Sequence, residues 1–291
     1  MHEARSHPPD LSEAVELAAA LIDQADALIV AAGAGMGIDS GLPDFRGKEG
    51  FWRAYPALRQ AGMDFYRIAS PEAFRASPEL AWGFYGHRLD LYRKTVPHAG
   101  FELLQRWGAE LPHGLAEFTS NVDGQFQKAG FDPARLYECH GSIHHLQCLA
   151  PCCDHIWVAD DFQPDVDAQH CRLLSVPPVC PRCGGLARPN VLMFDDWGWV
   201  DQRSAAQEHR LSQWLASVER PVVIELGAGT TIPSVRHFSH RVIHQHGGRL
   251  IRINPNESEV PTRWDVGLPL GASAGLALIG EALATRRGAS T

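Results

Sequence analysis

Four apolar runs separated by helical patterns, glycine-rich turns closing two of those runs, and two spaced pairs of cysteines predict an α/β chain. The fold class expected is a Rossmann-like doubly wound parallel sheet with a smaller zinc-ribbon module and a helical insertion. At 291 residues there is room for one large core plus an insertion, and 45% hydrophobic with 21% charged residues is an ordinary globular composition. A formal charge of -8 offers no basic face, so direct nucleic-acid binding is not expected. The opening residues lack the charged and apolar regions of a signal peptide, and no apolar stretch reaches the ~18 residues of a membrane span. The expected setting is soluble and cytoplasmic, without membrane contact.

The elements follow in order. Residues 11–26 place Leu11, Val15, Ala18, Ala19 and Ile22 at helical spacing, with Ser12 and Glu13 as start signals. The run ALIVAA at 27–32 has no polar alternation, as suits a strand covered on both faces, and 115–119, 222–226 and 250–253 behave alike. A helical pattern at 207–218 lies between two of them. Residues 47–109 form an aromatic-rich helical insertion, and 148–189, rich in Cys, Asp and Pro, form a metal-organised module. The sheet domain is then discontinuous, over 1–46, 110–147 and 190–286.

The runs ending at Ala32 and Leu226 both lead into Gly-Ala-Gly: Gly33, Ala34 and Gly35, then Gly227, Ala228 and Gly229. Small residues after a strand let backbone N–H groups approach a pyrophosphate, which is how dinucleotide sites are built. After the second run, Thr119-Ser120-Asn121-Val122-Asp123 sets polar groups at the carboxyl end of a strand, where ligands bind in open α/β sheets. His140 is one of fifteen histidines and stands out through the Gly141 that follows it and its distance from that motif; His144 and His145 are read as structural.

Seven cysteines crowd into residues 139–183, which favours metal over disulfides in a reducing compartment. Cys148 and Cys152 precede Cys180 and Cys183, and two such pairs across a loop suit a closed tetrahedral zinc site. Cys153, adjacent to Cys152, leaves the second ligand open between the two, with Cys152 favoured.

The stretch GAGMGIDSGLPDFRG at 33–47 resembles the NAD-binding signature of the sirtuin family, with Gly37 at a family Ser and Leu42 at a family Ile. TSNVD resembles the family's TQNxD with Ser120 for Gln, HG at 140–141 its catalytic motif, and RPNVLMFDDW at 188–197 its RPxVVxFGE segment with Asp195 for Gly. The turn from Gly227 replaces the family's GTS, and Asn254 matches its Asn near the adenine ribose. The resemblance runs over about residues 27–282.

It implies an NAD-dependent protein-lysine deacylase acting on an acyl-lysine protein or peptide, with NAD and zinc as cofactors. The acyl oxygen would attack the ribose carbon bearing nicotinamide, and His140 would be the general base that draws a proton from a ribose hydroxyl. Asn121 and Asp123 would hold ribose and nicotinamide. Ala34 would line the phosphate turn, Asp44 and Phe45 the nicotinamide end, and Arg46 a cofactor contact, with Gly33, Gly35, Ser120, Gly227, Ala228, Gly229 and Asn254 completing the cofactor set. NAD hydrolysis or ADP-ribosyl transfer is the alternative, because it needs the same bond cleaved and a different acceptor.

Overall fold

The computed structural model describes residues 10–43 and 48–289. Eleven strands are present among them: β1 (Ala27–Ala32), β2 (Leu115–Thr119), β3 (Leu136–Glu138), β4 (Gly141–Cys148), β5 (Ile156–Val158), β6 (Val166–Asp167), β7 (Arg172–Leu173), β8 (Ala187–Val191), β9 (Pro221–Leu226), β10 (Arg249–Ile253) and β11 (Val266–Leu268). The helices are α1 (Leu11–Gln24), α2 (Gly35–Ile38), α3 (Lys48–Ala54), α4 (Pro56–Gln60), α5 (Phe65–Ile68), α6 (Pro71–Ala76), α7 (Pro78–Lys94), α8 (Gly100–Ala109), α9 (Gln125–Lys128), α10 (Gln202–Leu215), α11 (Ser234–Gln245) and α12 (Ala272–Gly288).

Six parallel strands make the main sheet in the order β11-β10-β9-β1-β2-β3. The continuous apolar run of β1 divides by the two-residue period of a strand. Leu28, Val30 and Ala32 pack in a core with α1, α8 and α12, while Ile29 and Ala31 pack in the core under α10 and α11. Parallel strands joined by helices need both faces covered, so alternation disappears from the sequence. Strand order reverses between β1 and β9, and ligands of such sheets bind outside the carboxyl ends of strands at that switch point.

Two details differ from the sequence expectation. The first helix is capped by Asp10, whose carboxylate accepts the Glu13 amide hydrogen bond at 2.8 Å, rather than started by Ser12. Residues 100–109, expected within the insertion, form α8, whose Phe101, Leu104 and Trp107 pack on the sheet.

A second core lies beside the first. Phe51, Tyr55, Phe74, Trp82, Phe84 and Tyr85 of the helical segment pack with Ile143 and Leu146 of β4, Leu173 of β7, and Val191 and Met193 at the end of β8. The antiparallel sheet β5-β4-β8 is tied to α7 by a hydrogen bond from the Trp82 indole to the Ala187 carbonyl, 3.0 Å. The helical segment and the cysteine-bearing segment therefore share one core, and the cleft between this core and the main sheet carries the cavities described next.

Candidate functional site

The glycine turns after β1 and β9 meet at the switch point. Ala32 and Leu226 are register partners, the Gly33 amide donates to the Leu226 carbonyl (2.9 Å), and the Gly35 amide donates to the Gly227 carbonyl (3.0 Å). A Cβ on Gly35 would stand 2.5 Å from the Gly227 Cα, and Gly227 itself has φ +57°. Side chains are excluded because two backbones touch there. Gly35→Ala is expected to cost about 1–3 kcal/mol as an overpacked contact, read as a lower melting temperature together with weaker NAD binding in titration; unchanged NAD affinity would separate the turn from the cofactor.

Ala34, Gly35, Gly227, Gly229 and Asn254 line a cavity of about 340 Å³ over these turns. Gly33 and Ala228 lie behind it: the Ala228 carbonyl accepts from the Asn254 amide at 3.0 Å and from Arg236 at 3.0 Å, which ties the turn to β10 and α11. A neighbouring cavity of about 370 Å³ is lined by Ala34, Ser120, Asn121, Asp123 and His140. Ala34, Phe65, Phe194 and Ile232 border both, so the two spaces adjoin through a shared wall.

Asn121, Asp123 and His140 are each held in the second cavity by hydrogen bonds. The Asn121 side-chain amide donates to the Gly33 carbonyl (2.9 Å), linking the motif after β2 to the first glycine turn. One Asp123 carboxylate oxygen accepts from the Gln125 amide (3.0 Å), and burial pushes the Asp123 carboxyl up to about 6 against that hydrogen bond. His144 donates through Nε2 to the Asp123 carbonyl (2.9 Å), bracing its backbone. His140 sits in the turn between β3 and β4, its Nε2 3.2 Å from the Ser234 hydroxyl at the start of α11.

In the cysteine-bearing segment, the sulfurs of Cys148, Cys152, Cys180 and Cys183 lie within 4.8 Å of one another. Cys148 and Cys183 are 3.6 Å apart, and Cys152 and Cys180 are 3.7 Å apart. Four sulfurs around a tetrahedral zinc at ~2.3 Å stand roughly 3.8 Å from each other, so the donor set fits that ion. Cys153 is 3.6 Å from the Cys152 sulfur and is not one of the four that converge.

Residues 33–213, more than half of the chain, match the family model described as Sir2 family. The chain belongs to the Sir2 family. An NAD-dependent protein deacylase of Aquifex aeolicus is 30% identical over 261 residues, 90% of this chain and 97% of its own length. An NAD-dependent protein deacetylase of Shouchella clausii is 31% identical over 242 residues, covering 83% of this chain and 88% of its own. Among solved structures, a Sir2 homolog in complex with NAD superposes with a TM-score of 0.67 at 24% identity, over 100% of this chain and 98% of its own. A Sir2 homologue in complex with ADP ribose gives 0.68 at 23%, over 93% and 97%. At these identities the structures establish the fold, and they agree with the parallel sheet and smaller module expected from the sequence.

Within this Sir2-family fold, Asp44, Phe45 and Arg46 lie outside the described residues. The departures from the family pattern are placed as follows. A Cβ on Gly37 would meet Leu42 at 2.9 Å and the Asp123 carboxylate at 3.6 Å, so glycine leaves open the space beside that acid. Ser120 is buried on the cavity wall, and Asp195 lines the same cavity.

Sequence reasoning missed three cavity residues on α7. Tyr85, Arg88 and Tyr92 all line the second cavity. Arg88 is 8% exposed, donates to the Tyr92 hydroxyl through Nε (3.0 Å) and Nη2 (2.7 Å), and has its guanidinium 5.2 Å from the Phe84 ring centroid. Burial pushes the Tyr85 phenol up to about 12, keeping it a neutral donor. The signal was an arginine inside the near-continuous apolar run AWGFYGHRLDLY, a position where a charge is costly unless it is used. Ser234 carried no signal, since only folding brings it to His140.

Proposed function

We propose that this chain is an NAD-dependent protein-lysine deacylase in which His140 is the general base and Asn121 and Asp123 hold the reacting end of the cofactor. The observation that carries the reading is the convergence of these three residues on one cavity that adjoins, through Ala34, a second cavity built on both glycine turns and Asn254. NAD supplies the glycosidic bond whose cleavage releases nicotinamide. Gly35, Gly227 and Gly229 would face its phosphates and Asn254 its adenine ribose. Asn121, tied to the Gly33 carbonyl, would fix the nicotinamide ribose relative to the phosphate turn. His140, steadied by Ser234, would take the proton of a ribose hydroxyl at a ring nitrogen. Zinc on Cys148, Cys152, Cys180 and Cys183 would hold the smaller sheet and take no part in the chemistry.

Among the described residues no helix is long and apolar enough to cross a membrane. A reducing, cytoplasmic setting suits four free thiols gathered around a metal. The negative net charge supports a protein partner over nucleic acid.

The acyl chain, we infer, ends in a carboxylate. Arg88 places a buried cation, with the Tyr85 and Tyr92 phenols beside it, in the cavity that would receive the acyl group. A hydrogen-bonded ion pair at such a place is worth roughly 1.5–3 kcal/mol, or about 10–100-fold in rate constant.

The test combines purified protein, NAD, and peptides bearing acetyl-lysine or succinyl-lysine, with nicotinamide and peptide mass followed together. Peptide-dependent nicotinamide release with loss of the acyl group is expected, faster for succinyl. Arg88→Met should remove about 10–100-fold of kcat/KM on the succinyl peptide and little on the acetyl one. Nicotinamide release without peptide, or a gain of ADP-ribose mass on the peptide, would replace deacylation by hydrolysis or transfer. Equal losses on the two acyl chains would remove the carboxylate preference alone.

A further inference from the structure

The loop that leaves β8 presents its side chains alternately outward and inward. Asp195 is exposed, the Asp196 side chain is fully buried, and Trp197 is 98% exposed. Asp196 pins the loop from within: it pairs with the equally buried Arg188 at 2.7 Å and accepts from the Met193 amide (3.3 Å) and the Gly198 amide (3.2 Å). Gln147 of β4 holds the far side, donating to the Gly198 carbonyl at 2.8 Å and accepting from the Val200 amide at 3.0 Å. The two outward groups are thus held out by the fold.

Asp195 adopts φ +53°, the left-handed region that a glycine occupies without cost. It makes no hydrogen bond or ion pair with any described residue, so nothing within the fold rewards an aspartate in that conformation. It lines the cavity assigned to the acyl-lysine and, with Phe194, also borders a groove of about 500 Å³ lined by Met63, Tyr66 and Glu72, so the two spaces adjoin at these residues. An unpaired carboxylate that borders the cavity and the groove, and a bare indole two residues on along the same pinned loop, complement a cationic side chain: one offers charge, the other a π face.

We propose that Asp195 and Trp197 form a subsite for an arginine or lysine side chain of the substrate polypeptide close to the acyl-lysine. This deepens the deacylase reading and rests on it.

The experiment compares three acyl-lysine peptides that differ only within two residues of the acyl-lysine, carrying Arg, Ala or Glu there. Steady-state kcat/KM and, separately, peptide affinity by fluorescence polarisation are measured on the wild type, Asp195→Asn, Asp195→Gly and Trp197→Ala. The Arg peptide should exceed the Ala peptide by about tenfold, the combined scale of an exposed ion pair and a cation–π contact, carried by KM and weakened by salt. In each variant the ratio of Arg to Ala peptide should fall to within about twofold, a collapse that a merely structural loop residue would not produce selectively. Equal values for the three peptides in the wild type, or a ratio that survives both Asp195 variants and Trp197→Ala, would overturn the proposal. So would a preference for the Glu peptide, which Arg67 on the groove wall would give. If no peptide is turned over, the deacylase reading fails on its own, and the affinity ratios still decide the subsite.

Discussion

His140→Ala should lower deacylation by about two to four orders of magnitude, the usual worth of a positioned general base. Cofactor binding should persist, because the residues facing the cavity over the glycine turns do not include His140. The reason for expecting so sharp a separation is geometric. His140 reaches its cavity from the turn between β3 and β4, a separate segment from the two glycine turns, and its hydrogen bond to Ser234 involves a side chain outside the hydrophobic cores. Single-turnover kinetics with a peptide in excess, together with NAD titration of the variant, check both halves. Turnover within about threefold of the wild type would sink the general-base assignment. Loss of NAD affinity in parallel would show that the variant had disturbed the fold instead.

The second large effect concerns the cysteines. Chelation of zinc, or Cys180→Ser, should abolish activity by unfolding the smaller sheet, even though the cysteines are not among the residues that line the cavity holding His140. Structural zinc contributes on the order of 10–16 kcal/mol in small domains, which is as large as the whole stability of a typical protein. The chain from metal to active site is short. Cys148 ends β4 and pairs in register with Ala187 of β8, and β8 runs directly into the residues from Val191 to Asp195 that wall the cavity. Metal analysis, far-UV circular dichroism and activity measured on the same samples would test this. A zinc-free protein of full activity would remove the metal from the account.

What the sequence made legible follows from burial. The central strands could be read because both of their faces are covered, which leaves continuous apolar runs such as ALIVAA. Leu136–Glu138 and Val266–Leu268 escaped notice: they are three-residue strands at the two edges of the sheet, too short to show any period. The cofactor turns and the four cysteines were visible as local motifs, since each needs a particular residue type at a particular spacing. Arg88 left only the faint mark of a charge inside a largely apolar stretch. Helix α7 is buried around most of its circumference, so its polar position does not stand out against a solvent face. Ser234 differs again, because a contact made across ninety-four residues is invisible before the chain folds, and that Asp195 has no polar partner among the described residues shows only in the fold.

The eight residues of β4 start beside His140 and end on Cys148, one of the four converging cysteines, so they act as a ruler between the proposed base and the proposed zinc site. The pairing of β4 with β8 shifts register once, between Ser142 and Leu146, and from there Leu146, Gln147 and Cys148 pair in step with Pro189, Arg188 and Ala187, so a further insertion after Leu146 would turn Cys148 away from its partners. Between Cys152 and Cys180 the chain makes an excursion that is anchored on α7 through Cys171 and Leu173, while the stretch from Leu174 to Val179 lies largely at the surface. Length variation between relatives should therefore accumulate in the surface stretch of that excursion and spare the strand, leaving His140 and Cys148 at a fixed separation while the surface between them drifts.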